Sequence, residues 1–368
     1  MALTLRCARF SDKAALKRLW DECFHDEKGF TDWFFDERFL PETCAVAESD
    51  GEIASVVHGL PVNVRLRDTV LPGIIAAGVA TDTRFRGQGL MKKTFTRFMR
   101  QARADGFAVV PHRPASLGTF FSIGHFPVSR SSYFSIAAGA PRPEGTLCES
   151  VDLMESAPEL YACCRRFSKR YSGMAERSWA DFVFKLRDYL SCGAKCLVYK
   201  ENGQITGYCV YFDGDEPYGD EVCALSEQVY RELCRSFAGL FPDRDASLRT
   251  EPDAPLPGDF GEIETLEKSV MGAANIALAL KASGLSGGAV EVTDRIVPEN
   301  AGIYDLSGQR TDRPAQLKIP AGRLLQWIAG YKSMAELAQQ GYAQVLDPDA
   351  LRLCDSIGGR PCFIFDEY

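Results

Sequence analysis

Apolar positions along this chain follow two rhythms. Between residues 44 and 80 they come in short runs and alternations, at 44–48, 53–60, 62–66 and 70–80. That pattern predicts a meander of antiparallel strands, with Asp50-Gly51 and Arg67-Asp68 as the reversals. Then the period changes. Met91, Phe95, Phe98 and Ala102 recur three or four apart and predict a helix. Before the meander, a first strand leads to Ser11-Asp12, which reads as a helix cap ahead of Leu16, Leu19, Trp20 and Cys23. After the helix, 106–110 reads as a buried strand.

The junction between the last strand of the meander and the helix carries the clearest chemistry. Val79-Ala80-Thr81 runs into Arg84-Phe85-Arg86-Gly87-Gln88-Gly89-Leu90. Two glycines let the backbone turn tightly and approach a ligand. A helix that starts there points free N–H groups and the positive end of its dipole into the turn, and phosphate is the usual occupant of such a place. Charge agrees. Residues 84, 86, 92, 93, 97, 100 and 103 are basic, with no acid among them, in a chain of net charge −8. A solvated basic face is the alternative for those beyond residue 91. The loop lacks the Gly-Lys-Ser/Thr of a Walker A loop and the third glycine of a dinucleotide fingerprint.

Farther along, 168–189 holds a mixed helical pattern. The stretches 196–199 and 205–211 flank Glu201-Asn202-Gly203 as a hairpin, and 222–240 reads as a helix. The proline-rich 252–257 reads as a connector. Beyond it, 289–294, 300–306 and 315–319 read as extended segments. Leu324, Leu325, Ile328 and Tyr331, then Ala350, Leu351, Leu353 and Ile357, mark two helices.

Composition narrows the class. The 368 residues, 46% hydrophobic and 25% charged, suit two or three globular domains. The acidic balance excludes general nucleic-acid binding, and no apolar run is long enough for a membrane span. No apolar core of signal-peptide length opens the chain, and its 13 cysteines form no Cys-x-x-Cys pair, so reduced thiols in a cytoplasmic protein are expected. Four histidines without ligand spacing predict no metal site. His58 reads as structural.

The loop resembles motif A of the GNAT acyltransferases, Gln/Arg-x-x-Gly-x-Gly/Ala, through Arg84, Gly87 and Gly89. The resemblance implies acetyl-CoA as cosubstrate. Its pantetheine would lie along Val79, Ala80 and Thr81, and its pyrophosphate on Arg84, Arg86, Gly87, Gln88, Gly89 and Leu90. The segment 120–126 is similar to the family's Phe-Tyr-x-x-x-Gly-Phe, whose tyrosine hydroxyl protonates the departing thiolate. Here Phe120 stands at that place and has no proton to give. Ser122, His125, water, or departure of a bare thiolate are the substitutes. The first helices border the acceptor site in this fold. Asp26, Glu27 or Asp32 for charge, with Trp33 or Phe34 for cation–π contact, is therefore the expected amine pocket. Core aromatics with solvated acids is the bland alternative.

An N-terminal GNAT domain (1–138), a degenerate GNAT-like domain (139–264) and a sterol-carrier-like α+β domain (265–368) is the layout of the enhanced intracellular survival (Eis) acetyltransferase family. Glu291-Val292-Thr293-Asp294 and Asn300-Ala301-Gly302 carry the last part of the likeness. The expected fold is α+β and α/β, two tandem GNAT-type mixed sheets with the second degenerate, plus the sterol-carrier-like domain. In that family the C-terminal carboxylate, here that of Tyr368, is the base on the acceptor amine, and acceptors include aminoglycosides and other polyamines. The resemblance also implies a homo-oligomer, often a hexamer. The expected activity is direct acetyl transfer to a small amine. A lipid or small-ligand carrier, an acetyl-CoA-binding protein without catalysis, and a protein lysine or N-terminal acetyltransferase stay open beside it.

Overall fold

The structure is a computed structural model that describes residues 3–24, 26, 28–141 and 147–366. The chain folds into two units, one gathering 1–129, 171–176 and 268–368, the other 130–170 and 177–267. The first and third expected domains thus fall into one unit, and the middle piece starts at residue 130.

The first unit opens with β1 (Leu3–Cys7), α1 (Lys13–Cys23) and α2 (Lys28–Trp33). β2 (Ala45–Ser49), β3 (Glu52–Leu66) and β4 (Thr69–Thr81) form the expected meander, except that β3 is one strand where two were read. Asp50 and Gly51 take φ of 49° and 89°, the geometry of a tight hairpin whose twist matches its strands. α3 (Leu90–Ala104) comes next, then β5 (Val109–His112), α4 (Leu117–Phe121) and β6 (Phe126–Ile136). The alternation in β4 sorts its side chains to two faces. Ile75 and Ala77 meet Leu16, Trp20, Phe34 and Phe35. Ile74 and Ala76 meet Phe95, Phe98 and Met99 of α3. Each large side chain so buried contributes about 1.5–3 kcal/mol. β4 and β5 are parallel and paired only at Gly73 and Val109, so they splay beyond that point.

The second unit comprises β7 (Cys148–Val151), α5 (Ala157–Ser168), α6 (Trp179–Ser191), β8 (Lys195–Glu201), β9 (Gln204–Phe212), β10 (Tyr218–Ala224), α7 (Glu227–Leu240) and β11 (Ala246–Thr250). Its sheet runs β6-β11-β10-β9-β8-β7. Of the mixed helical pattern read over 168–189, only the part from Trp179 is a helix, since α5 ends at Ser168. Ser178 and Asp181 form a capping box that starts α6 afresh. The helix read over 222–240 begins at Glu227, because 222–224 close β10 and Ser226 caps α7. Inside this unit Arg177 meets the buried carboxylate of Glu221 with both ends of its fork, at 3.0 and 2.8 Å. Tyr208 and Tyr189 donate their hydroxyls to the same carboxylate at 2.6 and 3.0 Å. Burial alone raises that carboxyl, but Arg177 outweighs it and holds it down at about 2.

β12 (Glu262–Ala273) brings the chain back, its last residues pairing antiparallel with β5. Then come α8 (Ile276–Leu280), β13 (Val290–Thr293), β14 (Gly302–Tyr304), β15 (Leu317–Pro320), α9 (Ala321–Ala329), α10 (Met334–Gln339), β16 (Gln344–Val345) and α11 (Pro348–Asp355). The four strands form a sheet in the order β14-β13-β15-β16. Trp327, Tyr304 and Leu324 share one core with Val64, Leu66 and Leu71 of the meander. The tail is packed as well: Phe363, Ile364 and Phe365 are buried, and Phe363 N–H donates to Ser172 O at 2.9 Å. No helix among the described residues is long and apolar enough to cross a membrane.

Candidate active site

β4 ends at Thr81, and Asp82 starts a short turn by accepting from Arg84 N–H at 2.8 Å. The Arg84 guanidinium folds back onto Asp82 at 2.7 Å and Glu52 at 3.1 Å. The bond from Arg84 holds the Asp82 carboxyl below the ordinary carboxylate range. Arg86 donates to Thr81 O at 3.1 Å, tying the loop to the end of the strand. Gly87 and Gly89 take φ of 79° and 70°, left-handed values that favour glycine, and a Cβ at either would meet nothing within 4 Å. Glycine is there for the backbone path, and the space beside it is open.

Gly89 is the N-cap of α3 and offers no side chain to the first turn. Among the described residues the opening amides of this 15-residue helix therefore have no side-chain cap, and the first turn holds no acid. The basic run then divides. Lys92 and Lys93 are exposed near the loop. Arg97 donates to Gln101 at 2.9 Å, Arg100 to Ile296 O at 3.0 Å, and Arg103 to Asn300 at 2.5 Å. Arg100 and Arg103 fasten the helix to its surroundings, and Arg97 reaches outside it to Cys7 Sγ at 3.7 Å, which neither a phosphate role nor a solvated face had allowed for.

Beside the loop lies a cavity of about 450 Å³ whose wall includes Phe24, Gly78, Val79, Met91, His112 and Phe120. A bulge shapes it. Val56 pairs with Ala80 and His58 with Ala77, so Gly78 and Val79 together face Val57. Gly78 takes φ of 50° over the Trp20 ring, where a Cβ would come within 2.0 Å of a ring carbon. Val79 and Thr81 are half-buried and Ala80 is buried.

The expected amine pocket is corrected in part. Phe34 is fully buried and stacks on Trp20 at 4.5 Å, because the hydrophobic core claims its ring. Trp33 lies beneath Arg38, 5.8 Å from guanidinium carbon to ring centre. Asp26 accepts from the Trp20 indole at 2.9 Å, and Asp32 pairs with both Lys17 and Lys28. Among the described residues, Phe24 is what this segment gives the cavity wall, and Glu27 lies outside them. Tyr368, the expected base, also lies outside the described residues; the chain is packed as far as Asp366.

Phe120 is buried at the cavity wall with its ring 4.5 Å from that of His112. His125 stands behind His112, Nδ1 to Nε2 at 3.0 Å. Sequence reasoning singled out His125 and missed His112. Its one signal was a polar residue closing the apolar strand 109–112. Burial pushes His112 down to about 3 and His125 down too, so both rings are neutral near neutral pH. His58 is enclosed by Trp20, Phe34 and Phe35, and burial likewise lowers it to about 3. Among the described residues, Cys164, Glu221 and Cys223 bring three ligand atoms within 4.8 Å of one another, but Arg177 and Tyr208 already hold Glu221.

Comparisons with known proteins agree with this arrangement. The acetyltransferase (GNAT) domain model matches residues 4–124, and the sterol carrier protein domain model matches 263–359. Among solved structures, Eis1 from Mycobacterium abscessus superposes with a TM-score of 0.75 at 17% identity, covering 100% of each chain. A GCN5-related N-acetyltransferase from Anabaena variabilis gives 0.82 at 15% identity, also over 100% of each. A probable N-acyltransferase from Enterococcus faecalis gives 0.80 at 16%, again over 100% of each. No curated protein matches the sequence significantly. The glycine-capped helix, the splayed β4–β5 pair, the two domain matches and the end-to-end likeness of fold converge: the chain carries an acetyltransferase (GNAT) domain at its N-terminus and a sterol carrier protein domain near its C-terminus, in a fold shared from end to end with Eis1.

Proposed function

We propose that the protein transfers an acetyl group from acetyl-CoA directly to a primary amine of a small molecule, within the cavity at the β4 bulge. The observation that carries this is the start of α3: two left-handed glycines, open space at both, and first-turn amides without a side-chain cap, beside a 450 Å³ cavity. Those amides and the helix dipole fit a diphosphate, and Lys92 and Lys93 add positive charge. Arg84, held by Asp82 and Glu52, serves to brace the loop and contributes to the anion only through its field. The edge of β4 at Val79 to Thr81 lines the path for the pantetheine arm, and the bulge leaves backbone N–H capacity near Val79 for the thioester oxygen.

Phe120 gives no proton, so the thiol leaves as the anion, which the pKa of an ordinary thiol, about 8.5 for free cysteine, permits. The Eis resemblance puts the base on the Tyr368 carboxylate and extends the acceptors to polyamines and aminoglycosides. The described cavity wall carries Arg113 and no carboxylate, so the described residues favour an acceptor of low positive charge. Thiol release from acetyl-CoA, measured with a panel running from monoamines to aminoglycosides, tests this. Amine-dependent release is the expected result, and no release with any amine contradicts it. Release dependent on a protein substrate alone would move the acceptor to lysines or N-termini. Phe120 also keeps a second reading in play, an acetyl-CoA-binding protein with little turnover. Under that reading Phe120→Tyr, which restores the hydroxyl, raises the rate at least tenfold.

A further inference from the structure

One neighbouring group, the sulfur of Met99, fixes where the protons sit on the histidine pair beside the cavity. His125 Nε2 lies 3.3 Å from the sulfur of Met99. A thioether accepts hydrogen bonds and donates none, so His125 Nε2 carries the proton. In a neutral imidazole the other nitrogen is then the acceptor. His125 Nδ1 therefore accepts, and its partner at 3.0 Å, His112 Nε2, is the donor. The same rule leaves His112 Nδ1 with a lone pair. The wiring runs one way, from a sulfur that only accepts to a ring at the cavity wall that also accepts.

The surroundings hold this arrangement in place. Phe120 and Phe95 pack on the His112 ring, at 4.5 and 5.5 Å between centres. Phe95 also stands edge-on to His125 at 5.0 Å. Gly272 of β12 makes the room behind, since a Cβ there would lie 2.1 Å from His125 Nε2. Both histidines are buried, and burial keeps them uncharged.

We infer that His112 is a catalytic proton acceptor for the attacking amine, and that His125 and Met99 are positioning residues that hold its lone pair free. The inference rests on the acetyl transfer proposed above, and within that same site it puts on His112 the base that the Eis resemblance puts on the Tyr368 carboxylate. As nitrogen bonds to the thioester carbon, its N–H proton passes to His112 Nδ1. The C–S bond breaks and its electron pair leaves on sulfur. The proton on His112 is then lost to water or to the thiolate, which restores the neutral ring. The resulting imidazolium is stabilised as it forms, because its Nε2–H already points at the lone pair of His125. A pair wired in this way presents no proton of its own to the cavity before the amine has given one up, so the His125 acid considered from the sequence is replaced by a His112 base.

The test has two arms on the full-length chain. In ¹⁵N-histidine spectra, assigned through single replacements of the four histidines, His112 Nδ1 is expected as the unprotonated nitrogen and His125 Nε2 as the protonated one. Met99→Leu is expected to remove that fixed preference. In kinetics, His112→Phe keeps the ring volume and is expected to lower kcat about 100-fold while coenzyme A affinity is unchanged. Protonated His112 Nδ1, or an undiminished kcat in His112→Phe, overturns the inference while leaving the acetyl transfer intact. Absence of transfer by the unaltered chain with every amine overturns both. Should His112→Phe fail to fold, Met99→Leu and the spectra of the unaltered chain still decide the matter.

Discussion

Two strand-to-helix junctions in this chain look alike in sequence rhythm and differ in what they leave unfinished. In the first unit β4 passes through several intervening positions to reach α3, which is capped by Gly89 without a side-chain bond. In the second, β10 reaches α7 after only Leu225 and Ser226, and the Ser226 hydroxyl accepts from Val229 N–H at 3.4 Å. The second unit also neutralises its own buried charge, Glu221, with Arg177 and two tyrosines. One junction is closed by its own side chain. The other has an N-cap without a side chain, and its opening amides are the anion site proposed above. The same supersecondary pattern becomes a structural joint or a binding site according to whether the N-cap brings an oxygen.

The comparison breaks most visibly where the second unit is self-sufficient. Arg177→Met leaves the Glu221 carboxylate buried beside tyrosines alone, and a loss of about 3–5 kcal/mol is expected in chemical denaturation. Coenzyme A binding at the first junction is expected to survive that change under folding conditions. A loss below about 1 kcal/mol would mean the network is not the internal anchor described here.

Next in size is the open junction itself. Coenzyme A at 100 times its dissociation constant is expected to stabilise the chain by about 2.7 kcal/mol, read as a rise in Tm. Gly89→Glu places a side chain on a left-handed backbone and a carboxylate at the helix start, and is expected to abolish that rise. An undiminished rise would put the ligand elsewhere.

Acid probes the cavity wall and the core beside it. His58 and His112, each held near 3, and His125, also lowered, stay neutral in the folded chain while the unfolded chain takes up protons near 6.5. A histidine lowered by folding contributes its full stability above pH 6.5 and loses it as pH falls toward 3. Between those limits each ring is expected to lose about 1.4 kcal/mol per pH unit. His58→Gln is expected to flatten the slope between about pH 6 and 4; an unaltered slope contradicts the assignment. Smallest of all, Ser226→Ala is expected to cost about 1 kcal/mol, as for an ordinary helix cap, with no effect on coenzyme A.

Legibility in the sequence tracked locality. The loop from Arg84 to Leu90, the Asp50-Gly51 turn and the Asn202-Gly203 turn are set by backbone chemistry within a few residues, and they stand where the pattern placed them. Phe34 did not, because an aromatic beside acids reads equally as pocket or core, and only Trp20 and His58 from distant segments decide it. The helix over 168–189 was overdrawn because 171–176 is drawn off into the other unit, where Ser172 meets Pro361 and Phe363. His112 was silent for the same reason. Its meaning comes from Met99, Phe120, His125 and Gly272, four residues that the fold alone assembles.

The most direct measurement of the central claim is titration calorimetry of coenzyme A into the unaltered chain, the Gly89→Glu chain and the Ser226→Ala chain. Saturable binding at one site per chain, lost in Gly89→Glu and kept in Ser226→Ala, is the expected result. No heat with the unaltered chain, or equal binding by the Gly89→Glu chain, would contradict the account.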